Sequence, residues 1–367
     1  MPPAPSQSKE QSVVRRACGQ VTTSIRDRRH HRRMPAPIPD PLRHRPFTPG
    51  IATVWGLTRD QVYAMNLVSP VRGVWAVEPV TSLVARCAAI SLVVECHAFS
   101  HLTAARLHGL PLPMALDDDE SIHVIRDGRD GAIRRRGMIG HRGLFNREVV
   151  TSAGLPVTSL AETWVDMGEL IRPGFPLGLD DLVVMGDAVA TNLGSVEPLH
   201  EALGARVGPR GKLTLLEALT WIRVGSESPG ETRTRLVLVR AGLPEPELNQ
   251  PVYAAGGRWL GRPDMRWVAQ RVLLEYQGRE FHDSDEQRAA DKVRFRRFGD
   301  DGWSVIDVWD EDVNTDAARV ALVLRTAEAL GHPRTSLELS DIHPRFFSAR
   351  MLELAEIRAR RMHARAR

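Results

Sequence analysis

The stretch GRPDMRWVAQRVLLEYQGREFH, Gly261 to His282, constrains the fold most. Together with QPVYAAGGRWLG just before it, it reads as two strands joined at AAGG, with VAQ turning the chain into a third strand, RVLLEYQG. Asp264 then stands on one strand beside Glu275 on the next. Neighbouring strands lie about 4.8 Å apart, so two carboxylates at adjoining ends can share one divalent cation; without a cation they repel. Gln277 follows two residues after Glu275 on the same strand face, where a lysine often activates a nucleophile. Glutamine positions water but supplies neither a positive charge nor a base. His282, just past the strand, is a candidate general acid or base.

The preceding helix, ETRTRLVLVRAGLP, buries Leu236, Leu238, Val239 and Leu243 and sets Glu231 and Arg235 at i and i+4 on one exposed face. Glu231 is placed to complete the acidic shell. Taken singly, each acid also has a structural use: Asp264 as a turn cap, Glu275 as a partner of Arg262 or Arg279, Glu231 as a partner of Arg235. The basic helix SDEQRAADKVRFRRFG offers Arg288, Lys292 and Arg294 for phosphate contacts, with Arg235 as a further cation toward DNA.

A chain of 367 residues is long enough for two or three domains. Its 43% hydrophobic and 26% charged residues are globular proportions, and no run of about eighteen apolar residues is present to span a bilayer. With no signal pattern, and with Cys18, Cys87 and Cys96 lacking metal-like spacing, the expected setting is a reducing cytoplasm, away from membranes. The formal charge of +4 is uneven. Residues 1–46 carry ten Lys/Arg against three Asp/Glu and residues 350–367 six against two, which leaves the body between them net acidic. The basic character is therefore a property of the ends.

Residues 1–46 are expected to be a disordered basic segment, with Met34 as a candidate translation start and an authentic flexible basic arm as the competing reading. Residues 47–80 read as a small winged helix-turn-helix. Ile51, Val54, Leu57, Val62, Met65 and Leu67 give two short helices around WGLT, Thr58 caps the second, and VRGVWAV alternates as a strand. In that arrangement Thr58, Arg59 and Gln61 face DNA and Arg72 lies on the wing. The competing use is a helical hairpin that only packs. Residues 81–225 form an α+β middle domain, in which SHLTAARLHGLPLP is a helix ended by Gly109 and the segment around DGRDG a β-hairpin. His97, His101, His108, His123 and His141 show no coherent ligand spacing. Residues 226–315 form the domain bearing the acids, and residues 316–367 are helices with a basic tail.

From Glu227 to about Val313 the chain resembles the very-short-patch-repair (Vsr) type of endonuclease domain of the PD-(D/E)xK superfamily, through ESPGETRTRL, RPDMRW, LLEYQGREFH, RAADKVRFRRF and GWSVIDV in that order. The resemblance implies a mixed sheet flanked by helices that hydrolyses DNA phosphodiesters with Mg2+ or Mn2+. It implies Asp264 as central metal ligand, Glu275 as the second, Glu231 as the first-helix acid, Gln277 in the lysine slot and His282 as a trailing histidine. Relatives often read Glu-Tyr-Asp-Gly where this chain has EYQG, so Gln277 departs from the pattern.

Residues 47 to 170, through FTPGIATVWGLTRDQV, SHLTAARLHGLPLP and GLPVTSLAETWVDM, are similar to abortive-infection type IV antitoxins (AbiEi-like). That likeness implies a DNA-binding autorepressor, with a cognate toxin or a second copy of the chain as further partners. The expected fold class is thus multidomain α+β: a winged helix-turn-helix, an α+β middle domain and a C-terminal α/β restriction-endonuclease-like fold with a mixed sheet. Two functions follow, a magnesium-dependent DNA endonuclease, or an antitoxin-like repressor whose nuclease fold is degenerate.

Overall fold

The computed structural model describes residues 37–128, 133–278 and 296–365, with side chains in the last helix as far as residue 357. His282, Arg288, Lys292 and Arg294 lie outside the described residues. The chain divides into two compact units, Met1–His97 and Ala98–Arg367.

In the first unit, helices α1 (Asp40–Arg43), α2 (Pro49–Val54) and α3 (Arg59–Ala64) precede strands β1 (Val68–Val71) and β2 (Val74–Ala76), and α4 (Leu83–Ser91) follows. Each helix start has a local cause. The Thr48 hydroxyl accepts from the Ile51 N–H at 3.3 Å, and Thr58 and Gln61 exchange hydrogen bonds of 3.2 and 2.8 Å in a capping box. The antiparallel hairpin turns at Arg72–Gly73, with Gly73 at φ 93°. Helix, turn, helix and strands thus occur in the expected order. Residues 40–43, within the segment expected to lack structure, instead form α1 and bury Leu42 with Phe47, Ala52, Leu57 and Val62. Phe47 also bridges to Trp75 through two hydrogen bonds of 2.8 Å.

The second unit is α+β and holds two sheets. The first runs β5-β4-β3-β7-β6, built from β3 (His97–Phe99), β4 (Ile122–Arg126), β5 (Met138–Arg142), β6 (Val149–Ser152) and β7 (Leu155–Thr158). Among the described residues the strands flanking DGRDG do not form the expected β-hairpin: β4 and β5 are parallel, pairing Ile122 with Met138 through Arg126 with Arg142. A parallel pair cannot be joined by a tight two-residue turn. Helices α5 (His101–Leu107), α6 (Leu160–Gly168), α7 (Leu179–Leu193), α8 (Glu197–Gly204) and α9 (Lys212–Trp221) supply the core around Trp164, whose indole donates to the Leu182 carbonyl at 2.8 Å.

The second sheet follows α10 (Pro229–Arg240). It runs β13-β12-β11-β8, from β8 (Glu247–Leu248), β11 (Met265–Trp267), β12 (Val272–Gln277) and β13 (Ser304–Trp309); β9 (Val252–Tyr253) and β10 (Trp259–Gly261) form a separate antiparallel pair. The sheet is mixed, with β12 antiparallel to β11 and parallel to β13. Met265, Trp267, Val272, Leu274, Ile306 and Val308 line one face and join a core with α10 and α12 (Asp316–Leu330), which follows α11 (Asp310–Asn314). Leu273 points the other way, toward Val252, Leu260 and Phe298.

The boundaries expected at 225/226 and 315/316 do not separate cores. Leu236 packs in the first core while Val237 and Leu238 pack in the second, so α10 belongs to both, and α12 completes the second. Among the described residues no helix is long and apolar enough to cross a membrane. Cys87 and Cys96 are free thiols, and burial pushes the Cys87 thiol up to about 12.

Candidate functional site

Met265 pairs with Leu274 and Trp267 with Val272, so the same register carried one residue further sets Asp264 opposite Glu275. The Tyr276 N–H donates to Asp264 Oδ2 at 2.6 Å, which fixes that carboxylate at the end of the strand pair. The parallel register then places Asp307 beside Glu275 and Trp309 beside Gln277. Asp264, Glu275 and Asp307 therefore stand side by side on three neighbouring strands. They occupy the sheet face opposite the one covered by α10 and α12. Glu275 is 5% exposed, Asp264 and Gln277 are half-buried and Asp307 is exposed, so the row runs from the sheet interior into solvent. Sequence alone gives the first two of these acids; Asp307 requires the parallel register.

Glu231 is buried at the start of α10, contrary to the exposed face expected for it. Its Oε2 accepts from the Glu227 N–H at 2.9 Å and from Asn249 Nδ2 at 2.7 Å. Burial holds its carboxyl above the usual carboxylate range against those donors and the Ser228 hydroxyl. Asn249, at φ 48°, also donates its backbone N–H to the Asp264 carbonyl at 2.9 Å, so one residue links Glu231 to the strand end bearing Asp264. Arg262 pairs with Glu227, through Nη2 to Oε2 at 2.7 Å, rather than with Glu275.

The residues expected to face DNA differ in their surroundings. Arg59 and Arg72 are exposed, Arg59 with its guanidinium 5.6 Å from the Tyr63 ring and Arg72 at the hairpin turn. Thr58 and Gln61 spend their side chains on the capping box. Arg235 is not an exposed cation: it is 0% exposed, paired with Asp187 Oδ2 at 2.9 Å and Glu245 at 3.2 Å, because α7 packs over that side of α10.

One cluster has no counterpart in the sequence spacing. His101, His123 and His141, expected to form no ligand set, bring one ligand atom each to within 4.8 Å of one another. Parallel pairing of β4 and β5 produces this, since it sets His123 and His141 on one face and the β3–α5 junction adds His101.

Over 265 residues the chain is 28% identical to the uncharacterized proteins MT2308 and Rv2248 of Mycobacterium tuberculosis, strains CDC 1551 / Oshkosh and ATCC 25618 / H37Rv. Each match covers 71% of this chain and 92% of the relative. No family model and no solved structure matches the chain.

Proposed function

We propose that this chain is a DNA-binding protein whose C-terminal half is a magnesium-dependent endonuclease of the PD-(D/E)xK type, similar to the very-short-patch-repair enzymes. The observation that carries the reading is the lateral row Asp264–Glu275–Asp307, with Asp264 held by the Tyr276 N–H. Adjacent hard carboxylate oxygens on a rigid strand pair are the donor chemistry that suits Mg2+, so the residues fit the ion, and Asp264 and Glu275 would hold it. Bound there, the ion would supply positive charge against the phosphate and the developing negative charge of the displacement. The Gln277 amide, on the same face, orients water toward that phosphate. Asn249 ties Glu231 to the Asp264 strand and keeps the strand end in place. Nicking of supercoiled and mismatched plasmid DNA with Mg2+ or Mn2+ tests the reading. Wild type is expected to cut, and Asp264→Ala to lose at least about 100-fold of the rate.

A second reading, an antitoxin-like repressor with a retired nuclease fold, draws on two observations. Gln277 stands where a charged activator is expected, and the first unit presents helix, turn, helix and hairpin with Arg59 and Arg72 exposed. Retardation of the chain's own upstream DNA at low salt without any cutting by wild type favours it. Loss of that retardation in Arg59→Ala or Arg72→Ala assigns the contact.

A further inference from the structure

His101, His123 and His141 come from three consecutive pieces of the first sheet of the second unit. His101 starts α5 directly after β3, His123 lies on β4 and His141 on β5. His101 and His123 are 1% and 2% exposed, and His141 is half-buried, so solvent reaches the cluster from the His141 side. His123 Nδ1 and His141 Nε2 are 3.0 Å apart. That is close to the separation of about 3.3 Å between two nitrogens bound to one tetrahedral zinc at about 2.0 Å each. The His101 ring stacks on His141 with centroids 3.5 Å apart.

The surroundings favour the neutral form of the imidazoles. Burial is the main cause in all three: it lowers His101 well below the ordinary histidine value, His123 to about 4 and His141 to about 3.

Two features lie behind His101. The Ser100 hydroxyl is 2.9 Å from His101 Nδ1, which leaves Nε2 for a ligand, the arrangement by which outer partners orient metal-bound imidazoles. Asp166 is 0% exposed; Arg147 and Arg206 both bind its Oδ1, at 2.8 and 3.1 Å. Its Oδ2 has no hydrogen bond and lies 3.8 Å from His101 Nδ1. Arg147 and Arg206 balance the charge of Asp166, and its second oxygen, on the His101 side, is left as a further outer partner for that ring. His101 also sits at φ 50°, a left-handed conformation that non-glycine residues adopt at a cost and that recurs at functional sites.

We propose that His101, His123 and His141 bind one first-row divalent transition metal, zinc foremost, with the fourth coordination position open toward solvent beside His141. Three imidazoles select zinc-class ions over magnesium, so this site is separate in chemistry from the acidic row. Binding requires the His101 and His141 rings to unstack and turn about χ2 so that their nitrogens converge.

Zinc and cobalt titrations of the full chain, with a chromophoric chelator as competitor, test the site. One equivalent per chain is expected in wild type, and also in the Asp264→Ala, Glu275→Ala double variant. The His123→Gln, His141→Gln double variant is expected to lose it, and Ser100→Ala to weaken it about 10-fold or more while remaining folded. Folded wild type that takes up neither metal, or uptake unchanged by loss of both imidazoles, overturns the proposal. If the double variant does not fold, wild type decides through its cobalt spectrum. The intense visible bands of a four-coordinate nitrogen site support the proposal; the weak spectrum of six-coordinate aquo-cobalt overturns it.

Discussion

Arg235 fills the space between α7 and α10 with its guanidinium on Asp187 at 2.9 Å, on Glu245 at 3.2 Å and on the Trp221 carbonyl at 2.8 Å. Asp187 accepts in addition from the Thr232 hydroxyl at 2.8 Å and the Arg223 N–H at 2.7 Å. Both charges are out of water, so removing one strands the other. Arg235→Met is expected to cost about 3–5 kcal/mol in urea denaturation, and the double variant with Asp187→Leu less than the sum of the two single losses. Glu231 offers a separate measurement. Its carboxyl is held above the usual value by burial, so the folded state binds this proton more tightly than the unfolded chain. The stability linked to it is present below the unfolded pKa of about 4.3 and is lost as pH rises through the folded value. Glu231→Gln keeps an oxygen for the Glu227 and Asn249 donors. The variant is therefore expected to gain stability over wild type as pH rises from about 4 to 7, and a constant difference across that range would exclude the effect.

At the scale of elements, the start of α10 is fitted onto β12. A Cβ on Gly230 would lie 2.0 Å from the Tyr276 ring, which is itself held by its hydroxyl on Asp310 Oδ1 at 3.1 Å. Gly230→Ala should lift the helix start from the strand and cost about 1–3 kcal/mol, and Tyr276→Leu in the same chain should recover part of it. This contact also bears on the acids, since the Tyr276 N–H positions Asp264. The strand pair itself is legible in RPDMRW and RVLLEYQG, because a short turn between two extended runs leaves few registers, and the observed one faces Asp264 with Glu275. Parallel pairing of β4 and β5 is not legible, since parallel and antiparallel strands share the same local residue pattern. The histidine cluster inherits that ambiguity, because it exists only in the parallel register. Arg235 is a different case: the helix places it on the expected side, and burial comes from α7, some forty residues upstream.

For the second unit as a whole, the decisive fact is that its two cores share α10. Leu236 faces one core and Leu238 the other, and Arg240 holds Asp180 with bonds of 3.0 and 2.6 Å. The chain beyond α12 returns to the same place: the Leu179 N–H donates to the Phe346 carbonyl at 2.9 Å and the Arg345 N–H to Asp180 at 3.0 Å. A chain beginning at residue 226 would expose Leu236 and leave Arg235 and Arg240 without Asp187 and Asp180. Each unpaired buried charge costs several kcal/mol, comparable to the whole stability of a domain of that size. Residues 226–348 made alone are therefore expected to give no cooperative thermal transition. In the full chain, α6 of the first core and β12 of the second are expected to share one opening free energy in native-state hydrogen exchange. Two well-separated opening energies, or a sharp transition from residues 226–348 alone, would show that the acidic sheet folds independently and that α10 merely touches the first core.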